Sequence, residues 1–225
     1  MKKLILSSLL ITSGFAFAYI QIDVDNANYL ASNNIITTQS KTAGYRLDAS
    51  ISRAEVVAIA LKMKGIQDPP SYKCKKYFSD TVQNDWICRA VELAADNGII
   101  TRNKKFRPQD KITKIEALTI LTKSAGLYKK ATESELPYAF DSNVEWQLEL
   151  LRGVFGMQLF KTNDYKTTKK ILQPNEFGFC PGSICEITTI FFYPDNNATR
   201  AEVFGFAKNI LEYKTKIMSG EAATQ

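Results

Sequence analysis

A chain of 225 residues with 45% hydrophobic side chains is long enough to bury a sizeable core, either as one compact domain or as a tandem of small units. It contains no histidine, which excludes Ser-His-Asp and Cys-His nucleophile systems and every His-ligated metal site. The net charge of +6 is too mild to point to nucleic acid, yet a positive surface suits an anionic polymer.

The first 18 residues have a charged start (Met1-Lys2-Lys3), a short apolar run from Leu4 to Ile11, and an A-x-A ending at Ala16-Phe17-Ala18. This pattern predicts a secretory signal, residues 1–18, cut before Tyr19. The apolar run falls short of the ~20 residues a spanning helix needs, and no later stretch reaches that length. The expectation is an exported protein at the cell surface or envelope, with no membrane span after cleavage and a mature net charge of +4.

Beyond Tyr19 one short pattern is written three times. The copies run from Tyr45 to Glu55, from Phe106 to Glu116 and from Phe192 to Glu202, each with an aromatic residue seven positions before a Ser or Thr and a Glu three positions after it. Ser52/Glu55, Thr113/Glu116 and Thr199/Glu202 are capping boxes: the hydroxyl accepts the N3 amide and the carboxylate reaches back to the cap's own N–H. Each copy should start a helix. The apolar runs that follow agree, with Val56, Ile59, Ala60 and Met63, then Ile115, Leu118 and Leu121, then Val203, Phe206, Ala207 and Ile210.

The residue after each cap breaks a local rule. Arg53, Lys114 and Arg200 put a cation where the helix dipole favours an anion by about 0.3–1 kcal/mol. Free N–H groups beside a fixed cation make a site for a carboxylate or phosphate. The alternative is that each cation pairs with a nearby acid or lies along the surface.

In chain order, the first unit (19–68) opens with an extended lead from Tyr19 to Asp25. A helix capped by Asp25 or Asn26 then runs through Leu30 and ends at Asn33-Asn34, where Asn tolerates a left-handed backbone. Gly65 stops its second helix, before Asp68-Pro69-Pro70. The second unit (72–127) opens at Phe78-Ser79-Asp80, with a helix from about Asn84 to Asn97 carrying Trp86, Ala90, Val91 and Ala94 on one face and ended by Gly98; its capped helix runs to about Ala125. The third (136–216) opens at Phe140-Asp141, with Trp146 and an apolar face of Leu150, Leu151, Val154 and Leu159. Gln158 stands where Gly98 stood, so that helix is expected to end differently. About 26 extra residues within 160–190 form an insertion with a strand from Ile187 to Phe192, and 217–225 is a tail.

Four cysteines in an exported chain argue for disulfides, with three possible connectivities. Proximity favours Cys74 with Cys88 and Cys180 with Cys185. Unequal spacing and the lack of His speak against a zinc site. With Glu55, Glu116 and Glu202 committed to caps, no catalytic residues, cofactor or metal are expected.

At these residues the chain resembles the S-layer homology (SLH) family, whose signature is an I-T-R-A-E box after an F-x-P turn. The box reads Ile51-Ser52-Arg53-Ala54-Glu55, Ile112-Thr113-Lys114-Ile115-Glu116 and Ala198-Thr199-Arg200-Ala201-Glu202, and Phe78-Ser79-Asp80, Trp86 and Gly98-Ile99-Ile100 match the earlier half of the repeat. In the first unit Ile22 falls where Trp would be. The expected fold is mainly α: three helix-loop-helix repeats in a pseudo-threefold bundle, with a loop and short-strand insertion in the third. The resemblance implies noncovalent attachment to an acidic, often pyruvylated, cell-wall polysaccharide, with Arg53, Lys114 and Arg200 meeting carboxylates and Trp86 and Trp146 stacking on sugars. Other surface-layer proteins are further partners; nucleic acid is not. The rival expectation is a structural or adhesive protein whose repeats scaffold the insertion for protein partners.

Overall fold

The computed structural model describes residues 9–37, 44–67, 69, 71–83, 85–128, 138–160, 166–172 and 185–221. Among them are six helices, α1 (Leu9–Ser32), α2 (Arg53–Met63), α3 (Trp86–Asp96), α4 (Lys114–Ala125), α5 (Glu145–Gly156) and α6 (Arg200–Ser219), and three strands, β1 (Tyr138–Phe140), β2 (Lys166–Leu172) and β3 (Cys185–Phe191). The architecture is mainly helical. No described helix is long and apolar enough to cross a membrane.

The capped helices form the centre. α2, α4 and α6 each begin with a complete capping box, at Ser52/Glu55, Thr113/Glu116 and Thr199/Glu202. Every apolar residue predicted for their inner faces is buried, and α4 packs on both α2 and α6. The segments just before the caps bond head to tail. Ile51 N donates to Ala198 O, Ala198 N to Ile112 O, and Ile112 N to Ile51 O, at 2.8–3.3 Å.

The turns before these segments share a left-handed residue: Arg46 (φ 49°), Arg107 (φ 60°) and Tyr193 (φ 55°). For residues with a Cβ this backbone costs about 1–2 kcal/mol, and in two copies a carboxylate holds it. Asp80 accepts from the amides of Phe106 and Arg107 at 2.9 and 2.8 Å, and Asp141 from those of Phe192 and Tyr193 at 2.8 and 2.7 Å.

Helices α1, α3 and α5 also end alike. Asn34, Gly98 and Gln158 have φ of 58°, 69° and 54°, and the next amide (Ile35, Ile99, Leu159) bonds back to Leu30, Ala94 and Val154. The different ending expected at Gln158 does not occur; burial of Leu159 holds the same turn despite the side chain.

Two other expectations need correction. The lead from Tyr19 to Asp25 is helical rather than extended, and Asp25 does not cap: it lies inside α1 and accepts from Gln21 Nε2 one turn earlier at 2.9 Å. No Pro interrupts residues 9–32, so nothing stops the helix there. Residues 1–8 of the predicted signal lie outside the described residues.

The segment expected to be an insertion contributes β2 and β3, which pair antiparallel from Lys166↔Phe191 to Leu172↔Cys185, while β1 adds parallel to β3. The strand expected near Ile187 is β3; β2 was not foreseen in Lys166-Thr-Thr-Lys-Lys, whose polar residues hide its period. Cys74 and Cys88 form a disulfide. Cys180 lies outside the described residues.

Candidate functional site

The three cations that follow the caps are turned inward. Arg53 Nη1 lies 2.8 Å from Glu116, Lys114 pairs with Glu202, and Arg200 pairs with Glu55, so each meets the capping carboxylate of another segment. Their side chains keep only 16%, 13% and 10% of their exposure. The two arginines also donate Nε to a turn carbonyl, Arg53 to Phe106 O at 3.0 Å and Arg200 to Tyr45 O at 2.9 Å.

The helix N-termini are not open for an anion. Arg53, Lys114 and Arg200 amides donate to Asp110, Asn196 and Ala49 carbonyls, and the next amides to Pro108, Pro194 and Leu47. The expectation of free N–H groups is thereby corrected. The neighbouring turn supplies backbone acceptors, and the dipole cost of each cation is offset by a carboxylate.

Trp86 and Trp146 sit in the first turn of α3 and α5 and remain 44% and 43% exposed. Trp86 lies at the solvent edge of the face that buries Ala90, Val91 and Ala94. It borders a groove of about 510 Å³ formed with Asn34, Ile35, Leu61, Lys62 and Ala90. Trp146 borders a second groove, about 200 Å³, with Arg53, Lys105, Phe106, Glu116 and Lys123. A contiguous hollow of about 320 Å³ shares Trp146, Arg53 and Glu116 and adds Arg107, Lys111 and Gln147. Gln147 is fixed between Ser142 Oγ (2.6 Å) and Asp195 (2.9 Å).

Of the five predicted ligand residues, Arg53 and Trp146 thus share a groove and Trp86 lines another; Lys114 and Arg200 border neither. Lys62 and Lys123 were missed. Both stand nine positions after a cap cation, Arg53 and Lys114, so the repeat offset carried the signal.

Several carboxylates are acidified. Burial pushes Glu55 up, but the Ser52 amide and the Arg200 guanidinium outweigh it and hold it below its usual value. Burial likewise raises Asp80 less than the Phe106 and Arg107 amides lower it. Asp96, against the same effect of burial, is brought to about 2 by Lys75 and the hydroxyls of Tyr77 and Tyr72. Each folded-state pKa lies below its unfolded value. Their stabilisation is therefore complete above about pH 4.5 and is lost as the pH falls toward 2. Asp23 runs the other way, raised by burial and then by Asp48 and Glu202, so protonating it relieves the fold. Urea midpoints measured from pH 6 to pH 2 should fall on the acid side, and Asp23→Asn should raise the midpoint at pH 7; a flat profile would contradict the assignment.

Residues 77–118 match the family model of the S-layer homology domain. The chain is 26% identical over 193 residues to an amylopullulanase of Thermoanaerobacterium thermosulfurigenes, covering 84% of this chain and 9% of that protein. It is 23% identical over 141 residues to a surface layer protein of Brevibacillus choshinensis, 58% of this chain and 12% of that one. A middle cell wall protein of Brevibacillus brevis is 23% identical over 144 residues, 60% and 14%. The chain thus spans 9% to 14% of the length of these relatives.

Proposed function

We propose that this chain, with an S-layer homology domain over residues 77–118, is a non-catalytic cell-surface protein that attaches to the envelope by binding an acidic wall polysaccharide. The observation that carries the proposal is the groove in which an exposed indole stands beside three cations, Arg53, Lys105 and Lys123, with Glu116 the one acid lining it among the described residues. A sugar face stacks on an indole through its C–H groups, and a carboxylate or ketal acid on the ring is drawn to the cations. Arg53 is held at the wall by its two bonds, so its ordering is complete before a ligand arrives. The match to a surface layer protein and a middle cell wall protein supports the same location. The amylopullulanase match covers too little of that enzyme to bring its activity here.

The fuller reading takes the whole chain as three repeats in a pseudo-threefold bundle. It is supported by the three head-to-tail amides, the three cation–carboxylate pairs and the three left-handed turns. On it, Trp86 and Lys62 form the counterpart groove, and Lys114 and Arg200 hold the capping carboxylates Glu202 and Glu55 that join the repeats. In the first repeat the place of the indole is taken by Ile22, also exposed.

Co-sedimentation with envelopes of the producing organism, before and after acid extraction of wall polysaccharide, tests the function. Trp146→Ala should weaken binding roughly tenfold or more, a loss typical of a stacking aromatic at a hot spot, and extraction should abolish it. Binding indifferent to both would overturn the proposal. A scaffold for protein partners is favoured by the ordered β2–β3 pairing of the insertion; it predicts that deleting residues 166–191 removes a partner and spares sedimentation.

A further inference from the structure

Residues 72–77 (Tyr-Lys-Cys-Lys-Lys-Tyr) and 102–107 (Arg-Asn-Lys-Lys-Phe-Arg) carry basic side chains at seven of twelve positions. The fold lays these loops side by side. Ser79 donates both its amide and its hydroxyl to Lys104 O at 2.9 Å, and Lys75 and Arg102 each lie 2.7 Å from Asp96. All seven cations are exposed. Asp96 is shared by two of them and Asp110 lies 3.9 Å from Arg107; among the described residues no acid pairs with Lys73, Lys76 or Lys104.

The ledge is also rigid. The Cys74–Cys88 disulfide ties its middle to α3, and the fully buried Glu92 accepts from the amides of Lys75 and Tyr77. Lys76, held between those two bonds, has φ of 61°. A loop fixed in this way loses little entropy when it binds.

We infer that this ledge, which runs out from the Trp146 groove at Lys105 and Arg107, is a second contact surface for a linear acidic glycan engaged through its repeating negative charges. A string of lysines along two loops matches an extended polyanion better than one small ion. Other polyanions fit less well. Stacking of bases needs open aromatic faces, but Arg102 covers Tyr77 at 3.9 Å and Lys75 lies over Tyr72 at 5.6 Å. A lipid surface needs apolar side chains that insert, but both tyrosine hydroxyls are bonded to Asp96. The choice of a glycan rests on the envelope role proposed above.

The test uses the full chain and polygalacturonate, a linear carboxylate polymer, with neutral dextran, oligothymidylate and phosphatidylglycerol vesicles in parallel. The triple variant K73Q/K76Q/K104Q removes exposed charge only. It should weaken polygalacturonate binding about tenfold at low salt, where exposed charges act over a long screening length, and more than W146A does. Equal binding by the triple variant, equal loss in W146A, or tighter binding of the oligonucleotide or vesicles would each overturn the inference. Envelope sedimentation separates the two readings: retained by the triple variant and lost in W146A, it leaves the groove function standing and removes the ledge.

Discussion

Arg200→Ala will destabilise the protein by about 3 kcal/mol, the lower end of the range for breaking a buried ion pair. The change removes the pair with Glu55, the bond to Tyr45 O and the contact over the Phe204 ring at 5.4 Å. Glu55 keeps 34% of its side-chain exposure, so water partly compensates the stranded carboxylate. Arg200→Lys should cost only about 1 kcal/mol, roughly one hydrogen bond, because Lys114 already fills the corresponding place with a single ion pair to Glu202 and no Nε. Urea unfolding of both variants measures the difference. If Arg200→Ala unfolds within about 0.5 kcal/mol of the parent, as an ordinary surface change would, the inward cations are not structural. The Lys variant also matters for function, since it tests envelope binding without the loss of fold that would confound Ala.

The second large effect is expected at Glu92. Its carboxylate has no exposure and accepts the amides of Lys75 and Tyr77. Glu92→Ala leaves two donors without acceptors, at roughly 1–3 kcal/mol each, or about 4 kcal/mol together. The Cys74–Cys88 bond still tethers the loop, so the change should appear locally as well as globally. Amide exchange at Lys75 and Tyr77 should accelerate more than at Val91 or Ala94. Unchanged protection at those two amides would show that another group had replaced the carboxylate.

The parts of this structure that depend on neighbours in sequence were legible in it. A Ser or Thr followed three positions later by Glu is a local device, and all three boxes formed as read. Gly98 and Asn34 announced left-handed turns because few residues accept them. Arg46, Arg107 and Tyr193 adopt the same backbone without any such mark, because in two of the turns the enabling group is a distant aspartate, Asp80 or Asp141. The destination of the cations was hidden for the same reason. Arg53, Lys114 and Arg200 break a rule of their own helix, and the compensation comes from Glu116, Glu202 and Glu55 on other helices. The tryptophans were legible as a repeated position, while their exposure depended on where α3 and α5 begin relative to the capped helices.

The head-to-tail amides also govern when the molecule can fold. Arg200 and Glu55 stand 145 residues apart, and Ile51 finds its acceptor only at Ala198. A domain made of local contacts completes its first unit during synthesis, whereas long-range closure delays the native state and leaves apolar faces uncovered. Here the Ile51 amide lacks its acceptor, and Glu55 its arginine, until nearly the whole chain is present. For a polypeptide threaded through a translocation channel that delay is an advantage, because an unclosed chain stays extensible; for one released into a crowded compartment it is the interval in which a chaperone is needed.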